Sequence, residues 1–164
     1  DADAIVRITG DCPLVDPEIV DKLVSMYKAQ PDIDITTNCR IQSFPHGLDA
    51  EVYSTKSLEI MNKEISDPNI REWFVLFAHN SERFNILDLK NEENLSSFRW
   101  TIDYPEDLEF IKKIFEKFEK NKKINVIKEI KKILQENPRL IKINSVHCGK
   151  HNIDAPKWEN KRIS

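Results

Sequence analysis

The chain has 164 residues, of which 40% are hydrophobic and 32% are charged, a balance typical of a globular domain and not of a disordered chain. No apolar run approaches the roughly 18–20 residues that span a bilayer, so we expect no membrane partner. The formal net charge of −3 argues against nucleic-acid binding by the chain as a whole. Three widely spaced cysteines without a CxxC pair indicate reduced thiols and a cytoplasmic location.

The hydrophobic pattern predicts strands that alternate with helices. A β-branched run predicts a first strand at 4–9, and Asp16 before Pro17 is typical of the start of a helix, which we expect to reach Ala29. The later predicted elements are strands at 34–38 and 49–53, a helix after Ser54, a helix after Asp67, strands at 84–89 and 98–102, and helices from Pro105 and over 126–136. This alternation predicts an α/β fold.

The first predicted strand ends in a glycine and a carboxylate. Gly10 and Asp11 follow its apolar run, and Pro13 restricts the turn. Ligands of open α/β sheets gather where strands end, so Asp11 is placed to bind a metal ion or a polar substrate. A turn-capping role for this aspartate is equally compatible with the local sequence.

A second aspartate follows another predicted strand far downstream. Asp103 comes directly after 98–102 and before Tyr104 and Pro105, where a carboxylate also suits the start of a helix. Magnesium is usually held by one or two carboxylates together with phosphate oxygens and water. Asp11 and Asp103 together therefore predict one magnesium site.

Four motifs occur in a fixed order along the chain. They are RITGDCPLVDP from Arg7, FPHGLDAEV from Phe44, Arg71-Glu72, and WTIDYPEDL from Trp100. In this the sequence resembles the spore-coat polysaccharide type of cytidylyltransferase, a relative of the CMP-sialic acid and CMP-Kdo synthetases, over residues 3–144. The resemblance implies a Rossmann-like, GT-A-type nucleotidyltransferase domain at 1–144, with a mixed sheet and flanking helices, and a tail at 145–164.

The resemblance also implies a reaction. Such enzymes couple CTP to an acidic or activated sugar and release pyrophosphate, and the aspartates that match Asp11 and Asp103 help to hold Mg²⁺. The metal offsets negative charge at the α-phosphate. The family begins with a strand and a basic, glycine-containing loop for the triphosphate, neither of which is found here. We therefore expect that an N-terminal nucleotide-binding segment is missing and that this stretch alone is inactive.

Several polar residues are candidates for substrate binding. Arg7 lies in the first strand and would meet either a phosphate or sugar carboxylate, or an acid within the sheet. His46 and Gly47 form a tight turn that would face the sugar, although an ordinary loop histidine is an alternative. Asp49 and Glu51 alternate with apolar residues, so they are expected on the polar face of a strand, in the cleft or in solvent.

The segment 44–89 is the candidate for contacts outside the nucleotide site. The resemblance implies that Arg71 and Glu72 contribute to the substrate side of the cleft or to a subunit contact, with a surface pair as the alternative. The following aromatic stripe, Trp73, Phe74 and Phe77, is most simply core. We expect 44–89 to supply the contact of a homodimer because it carries much apolar area for a short excursion.

Two other classes of function stay open at this point. One is a different sugar nucleotidyltransferase or a GT-A glycosyltransferase, whose metal motif is Asp-x-Asp. That spacing occurs only at Asp1-Ala2-Asp3 and Asp32-Ile33-Asp34, and neither follows an apolar strand. The other is a non-catalytic module that keeps the fold for dimerisation.

Overall fold

A four-stranded mixed sheet forms the centre of the computed structural model, which describes residues 2–118 and 125–149. Its strands are β1 (Ala4–Ile8), β2 (Ile35–Thr37), β3 (Ala50–Ser54) and β4 (Ile86–Asp88), in the order β1-β3-β2-β4. The strand β3 pairs antiparallel with β1 and β2, and β2 pairs parallel with β4. The predicted α/β class with a mixed sheet is confirmed.

Helices flank this sheet, and several of them begin directly after a capping residue. They are α1 (Pro17–Ala29), α2 (Thr55–Glu64), α3 (Pro68–Glu72), α4 (Phe74–Asn80), α5 (Pro105–Lys117) and α6 (Val126–Glu136). The Asp16 carboxylate accepts the backbone N–H of Glu18 at 2.9 Å, and Ser54 caps α2 in the same way through Ser57. First-turn N–H groups lack acceptors within a helix, so a preceding side-chain oxygen fixes where the helix begins.

The stretch 98–102 does not form the predicted strand, so that prediction is wrong. Its one bridge joins Arg99 to His46 in parallel. The next hydrogen bonds diverge: Trp100 N donates to His46 O, whereas Ile102 N donates to Asp11 O. Because these donors reach two different segments, no continuous ladder with one neighbouring strand forms.

The predicted helix after Asp67 is interrupted. It ends at Glu72, and Trp73 has φ −106° and ψ 32°, outside helical geometry, before α4 begins at Phe74. Glu72 is therefore the last residue of α3, whereas Phe74 and Phe77 belong to α4. None of the helices in 2–118 and 125–149 has the length and apolar character needed to cross a membrane.

Hydrophobic clusters cover both faces of the sheet. The larger one packs α1, α5 and α6 on one face and includes Leu23, Val52, Trp100, Phe110 and Ile114. The smaller one packs α2 and α4 on the other face and includes Ile35, Tyr53, Met61, Phe77 and Phe84. Every residue of β3 is consequently buried, which corrects the expectation of a polar face for that strand.

The strand β1 lies at the edge of the sheet that the described residues form. Ile5, Val6 and Ile8 are each exposed by roughly two fifths, at 43%, 41% and 45%. The β-branched residues of β1 are typical of an internal parallel strand. Within the described part of the chain, however, β1 pairs only with β3, in the antiparallel sense. Downstream of α6 are two short 3-10 turns, Pro138–Lys142 and Ser145–His147. The second lies at the start of the predicted tail, whose residues 150–164 are outside the described part.

Candidate active site

A cleft of about 690 Å³ opens beside the sheet. The lining residues come from β1, β3, α3, α4, the segment between β2 and β3, and the turns that follow β1 and precede α5. They include seven of the nine candidates from the sequence: Arg7, Asp11, His46, Asp49, Glu51, Glu72 and Asp103. Gly47 and Arg71 are outside this lining.

Asp11 is held in the cleft by the chain segment that leads to Asp103. Its Oδ2 accepts a hydrogen bond from Thr101 Oγ1 at 2.9 Å, and its carbonyl accepts from Ile102 N at 2.9 Å. Partial burial opposes ionisation of Asp11, but hydrogen bonds from Thr9 and Thr101 outweigh it and lower the pKa of the carboxyl. Asp11 is therefore an anion at neutral pH.

Asp103 lies at the mouth of the cleft, with its side chain 43% exposed, and forms an ion pair with Arg99. The guanidinium of Arg99 is 2% exposed and also binds the fully buried carboxylate of Asp107. Burial opposes the charge on Asp107, but hydrogen bonds from Arg99 and Asn144 lower its pKa. This buried network fixes the backbone from which Asp103 projects.

The donor chemistry of the cleft fits a magnesium ion that also binds substrate. Asp11 and Asp103 supply carboxylate oxygens, the hard ligands that Mg²⁺ prefers, in one cleft. Within the described ranges, no group of three or more His, Cys, Asp or Glu side chains has the arrangement of a metal cage. A two-carboxylate site needs phosphate oxygens and water to complete its coordination, as is usual for Mg²⁺.

Gly47 has a backbone role in the turn that carries His46. Its φ is +106°, and a Cβ at this position would lie 2.4 Å from the carbonyl carbon of Trp100. Its N–H donates to Asp49 Oδ2 at 3.2 Å. Only glycine fits so close an approach at this φ. The turn places His46 Nε2 3.9 Å from Asp49 Oδ2 in the cleft.

Glu51 is a buried charge whose partners could not be read from the sequence. Its fully buried carboxylate accepts from Arg7 Nη1 at 3.2 Å and Thr37 Oγ1 at 3.1 Å, and lies 2.9 Å from His79 Nε2. Burial opposes its ionisation, but the hydrogen bond and charge of His79 and the charge of Arg7 lower the pKa of Glu51. Arg7 and His79 thereby reach the cleft from β1 and α4.

The Arg71-Glu72 pair divides between two places. Glu72 lines the main cleft. Arg71 instead donates to the carbonyls of Asn62 and Ile65, at 3.3 and 3.0 Å, and to Asn62 Oδ1 at 2.8 Å. It also borders a small apolar cavity of about 140 Å³ beside Phe74. In this arrangement Arg71 joins α3 to the end of α2.

Other residues of the site have no sequence signal of their own. Arg99 lies in a predicted strand and His79 follows the aromatic stripe, and neither position predicts a functional role. Tyr104 lines the cleft and stacks on His147, with ring centroids 3.9 Å apart and planes at 6°. The positions of these residues in the site depend on contacts between segments that are distant in sequence. A local sequence pattern contains no information about such contacts.

Comparisons with known proteins agree with this architecture. No family model matches the sequence. The chain is 33% identical over 147 residues to an uncharacterized protein of Methanocaldococcus jannaschii, across 87% of this chain and 58% of that protein. It is 29% identical over 138 residues to the spore coat polysaccharide biosynthesis protein SpsF of Bacillus subtilis, across 82% of this chain and 55% of that protein.

A solved structure provides the corresponding fold. The cytidylyltransferase from Leptospira borgpetersenii serovar Hardjo-bovis is 35% identical, with a TM-score of 0.78 over 85% of this chain and 58% of that chain. This similarity confirms the Rossmann-like nucleotidyltransferase fold. Together with the similarity to the spore coat polysaccharide protein, it supports assignment of the chain to the cytidylyltransferase family. It spans between 55% and 58% of the length of these relatives.

Proposed function

We propose that the protein is a CTP-using nucleotidyltransferase that transfers CMP to a sugar, with release of pyrophosphate, in polysaccharide biosynthesis. The observation that carries the proposal is that Asp11 and Asp103, from distant parts of the chain, line one cleft. The cytidylyltransferase from Leptospira and the spore coat polysaccharide protein of Bacillus support the nucleotide and the pathway class. The sugar itself is left to experiment.

In this proposal the two aspartates hold a Mg²⁺ ion together with the triphosphate. Asp11 and Asp103 would hold this ion, which when bound would supply charge neutralisation at the α-phosphate. A sugar oxygen attacks that phosphate and pyrophosphate leaves. Asp11 is suited to this task because its hydrogen bonds keep it ionised and fix its orientation. The contribution of the protein is mainly positioning and charge.

Other residues of the cleft suit it to an acidic or activated sugar. Arg7 is one-third exposed, while its guanidinium is anchored to Glu51 and lies 5.4 Å from the centre of the Phe74 ring. Trp73 and His79 line the same cleft. A fixed guanidinium beside an aromatic surface recognises a carboxylate or phosphate on a sugar ring.

The glycosyltransferase alternative has less support from the cleft. Asp32 and Asp34, which have the Asp-x-Asp spacing, are not among its lining residues. The carboxylate of Asp34 instead accepts the backbone N–H of Asn85 at 3.0 Å. Asp1 lies outside the described residues.

The decisive experiment measures pyrophosphate release by the protein in its full natural length. CTP, ATP, GTP and UTP are each supplied with Mg²⁺ and a panel of sugar acids, sugar phosphates and neutral sugars. We expect release that requires CTP, Mg²⁺ and an acidic or phosphorylated sugar together, and that stops with EDTA. Preference for another nucleotide would contradict the use of CTP and indicate a different sugar nucleotidyltransferase. A folded protein that releases pyrophosphate under none of these conditions would favour a non-catalytic module.

A further inference from the structure

The guanidinium of Arg99 lies beneath the cleft in a fixed orientation. Its Nε donates to Asp107 Oδ1 and Oδ2 at 2.9 and 3.1 Å, and its Nη2 donates to Oδ2 at 2.8 Å. Asp107 is fully buried and also accepts from Asn144 Nδ2 at 2.9 Å. A guanidinium held along one edge by a buried carboxylate has little freedom to rotate.

The remaining donors of Arg99 reach two candidate site residues. Its Nη2 is paired with the carboxylate of Asp103, and its Nη1 lies 3.2 Å from His46 Nδ1. These two residues both line the cleft and are 57 positions apart in the sequence by their residue numbers (103 − 46). One buried side chain thus contacts both.

The contact with His46 has only one possible direction. An arginine side chain has five N–H donors, no acceptor, and stays protonated in proteins. The hydrogen bond therefore runs from Arg99 Nη1 to a lone pair on His46 Nδ1, so the proton of the ring is on Nε2. Backbone hydrogen bonds also hold His46 next to Arg99, because His46 N donates to Phe98 O at 3.0 Å and His46 O accepts from Trp100 N.

We propose that Arg99 is a positioning residue that holds His46 in its Nε2–H tautomer and orients the Asp103 carboxylate. The cleft then presents a hydrogen-bond donor and a carboxylate in a fixed relation. The Nε2–H group, 3.9 Å from Asp49 Oδ2, is then the donor that His46 offers to an acceptor oxygen of a ligand in the cleft, such as that of a phosphate or a sugar hydroxyl. The identity of that ligand rests on the proposed function, whereas the tautomer does not.

Nuclear magnetic resonance tests the tautomer without any assay of activity. The full natural-length protein is labelled with ¹³C and ¹⁵N in histidine, and the His46 signals are those missing from a His46→Gln variant. We expect coupling and chemical shifts of an Nε2–H imidazole at neutral pH. A ring protonated on Nδ1, or on both nitrogens, would overturn the proposal whatever the protein catalyses.

A set of variants assigns the effect to Arg99. Arg99→Lys keeps the charge but lacks the forked donors, so we expect loss of the fixed Nε2–H signature. Asp103→Asn removes the ion pair but leaves Arg99 beside His46, so the signature should persist. Arg83→Lys, in the exposed pair with Glu64, is the control for a simple Arg-to-Lys change. An unchanged signature in Arg99→Lys, or its loss in Asp103→Asn, would contradict the assignment.

Metal binding tests the second half of the proposal. Calorimetric titration with Mg²⁺ in the presence of a non-hydrolysable CTP analogue should show about 10- to 100-fold weaker metal binding in Arg99→Lys, because residues that orient metal ligands have effects of this size. Equal affinity in the variant would overturn the orienting role toward Asp103. Absence of Mg²⁺ binding in the wild type would overturn that role together with the proposed metal site, while the spectrum of His46 separately decides the tautomer. If Arg99→Lys does not fold, the wild-type tautomer and Asp103→Asn still decide the first half.

Discussion

Glu51 Oε1 lies 2.9 Å from His79 Nε2, and these buried side chains join β3 to α4 across the wall of the cleft. The same carboxylate binds Arg7 and Thr37. One buried anion therefore orients two basic groups at the cleft and links four elements of the fold, β1, β2, β3 and α4. Such a group stabilises the protein only while it remains ionised and all its partners remain in place.

Glu51→Gln should lower the free energy of unfolding by about 1.5–3 kcal/mol at pH 7, because hydrogen bonds to a charged acceptor are lost. Urea unfolding followed by circular dichroism measures this change. Glu64→Gln, in the exposed pair with Arg83, is the matched control and should change stability by less than about 1 kcal/mol. Equal effects of the two substitutions would contradict a special role for Glu51.

The contribution of Glu51 should also depend on pH. Since its pKa is lowered in the folded protein from the ordinary value of 4.5, its stabilisation is present above pH 4.5 and is lost as the pH falls through the folded value. The difference in unfolding free energy between wild type and Glu51→Gln should therefore shrink below pH 4.5. A difference that stays constant from pH 7 into this acid range would show that the carboxyl titrates alike in both states.

Gly47→Ala should destabilise the protein by more than about 3 kcal/mol, because strain at positive φ adds to a contact of 2.4 Å with the Trp100 backbone. Gly10→Ala is the control, since a Cβ there meets nothing within 4 Å. It should change the unfolding free energy by less than about 1 kcal/mol. Thermal unfolding that ranks the two variants equally would show that the turn relaxes around the new methyl group.

Asp103→Asn should reduce pyrophosphate release by at least roughly a hundredfold in the full natural-length protein, because a metal ligand supplies several kcal/mol in the transition state. Folding should change little, since the side chain is 43% exposed and Asn has the same size. Glu109→Gln, on the exposed face of α5, is the control and should keep full activity. Turnover of Asp103→Asn within a few-fold of the wild type would remove Asp103 from the mechanism.

The dimer predicted from 44–89 can be measured by sedimentation at micromolar concentration. In the structure Phe77 is buried, whereas Trp73 and Phe74 are only half-buried, which leaves apolar area for a subunit contact. We expect a dimer that Leu58→Asp, at the apolar cavity beside Phe74, converts toward monomer. Val146→Asp, at an exposed site outside this segment, should leave it intact. A monomeric wild type would contradict the prediction.

Local sequence determined where most elements begin. Asp16 and Ser54 cap α1 and α2 as expected, and α6 has its predicted bounds, Val126–Glu136. The placement of Asp11 directly after a strand was equally visible. Capping and periodicity depend on neighbours within about four residues, so the order of residues along the chain contains them.

Tertiary structure alone decided which charges are buried together. Glu51 belongs to an alternating strand pattern that predicts a polar face, in the cleft or in solvent, yet its carboxylate is buried beside His79 of α4. Arg99 belongs to a predicted strand that does not form, because Arg99 and its neighbours bind His46, Asp103 and segments far along the chain. A buried charge is stable only beside specific partners, and the packing of elements distant in sequence supplies those partners.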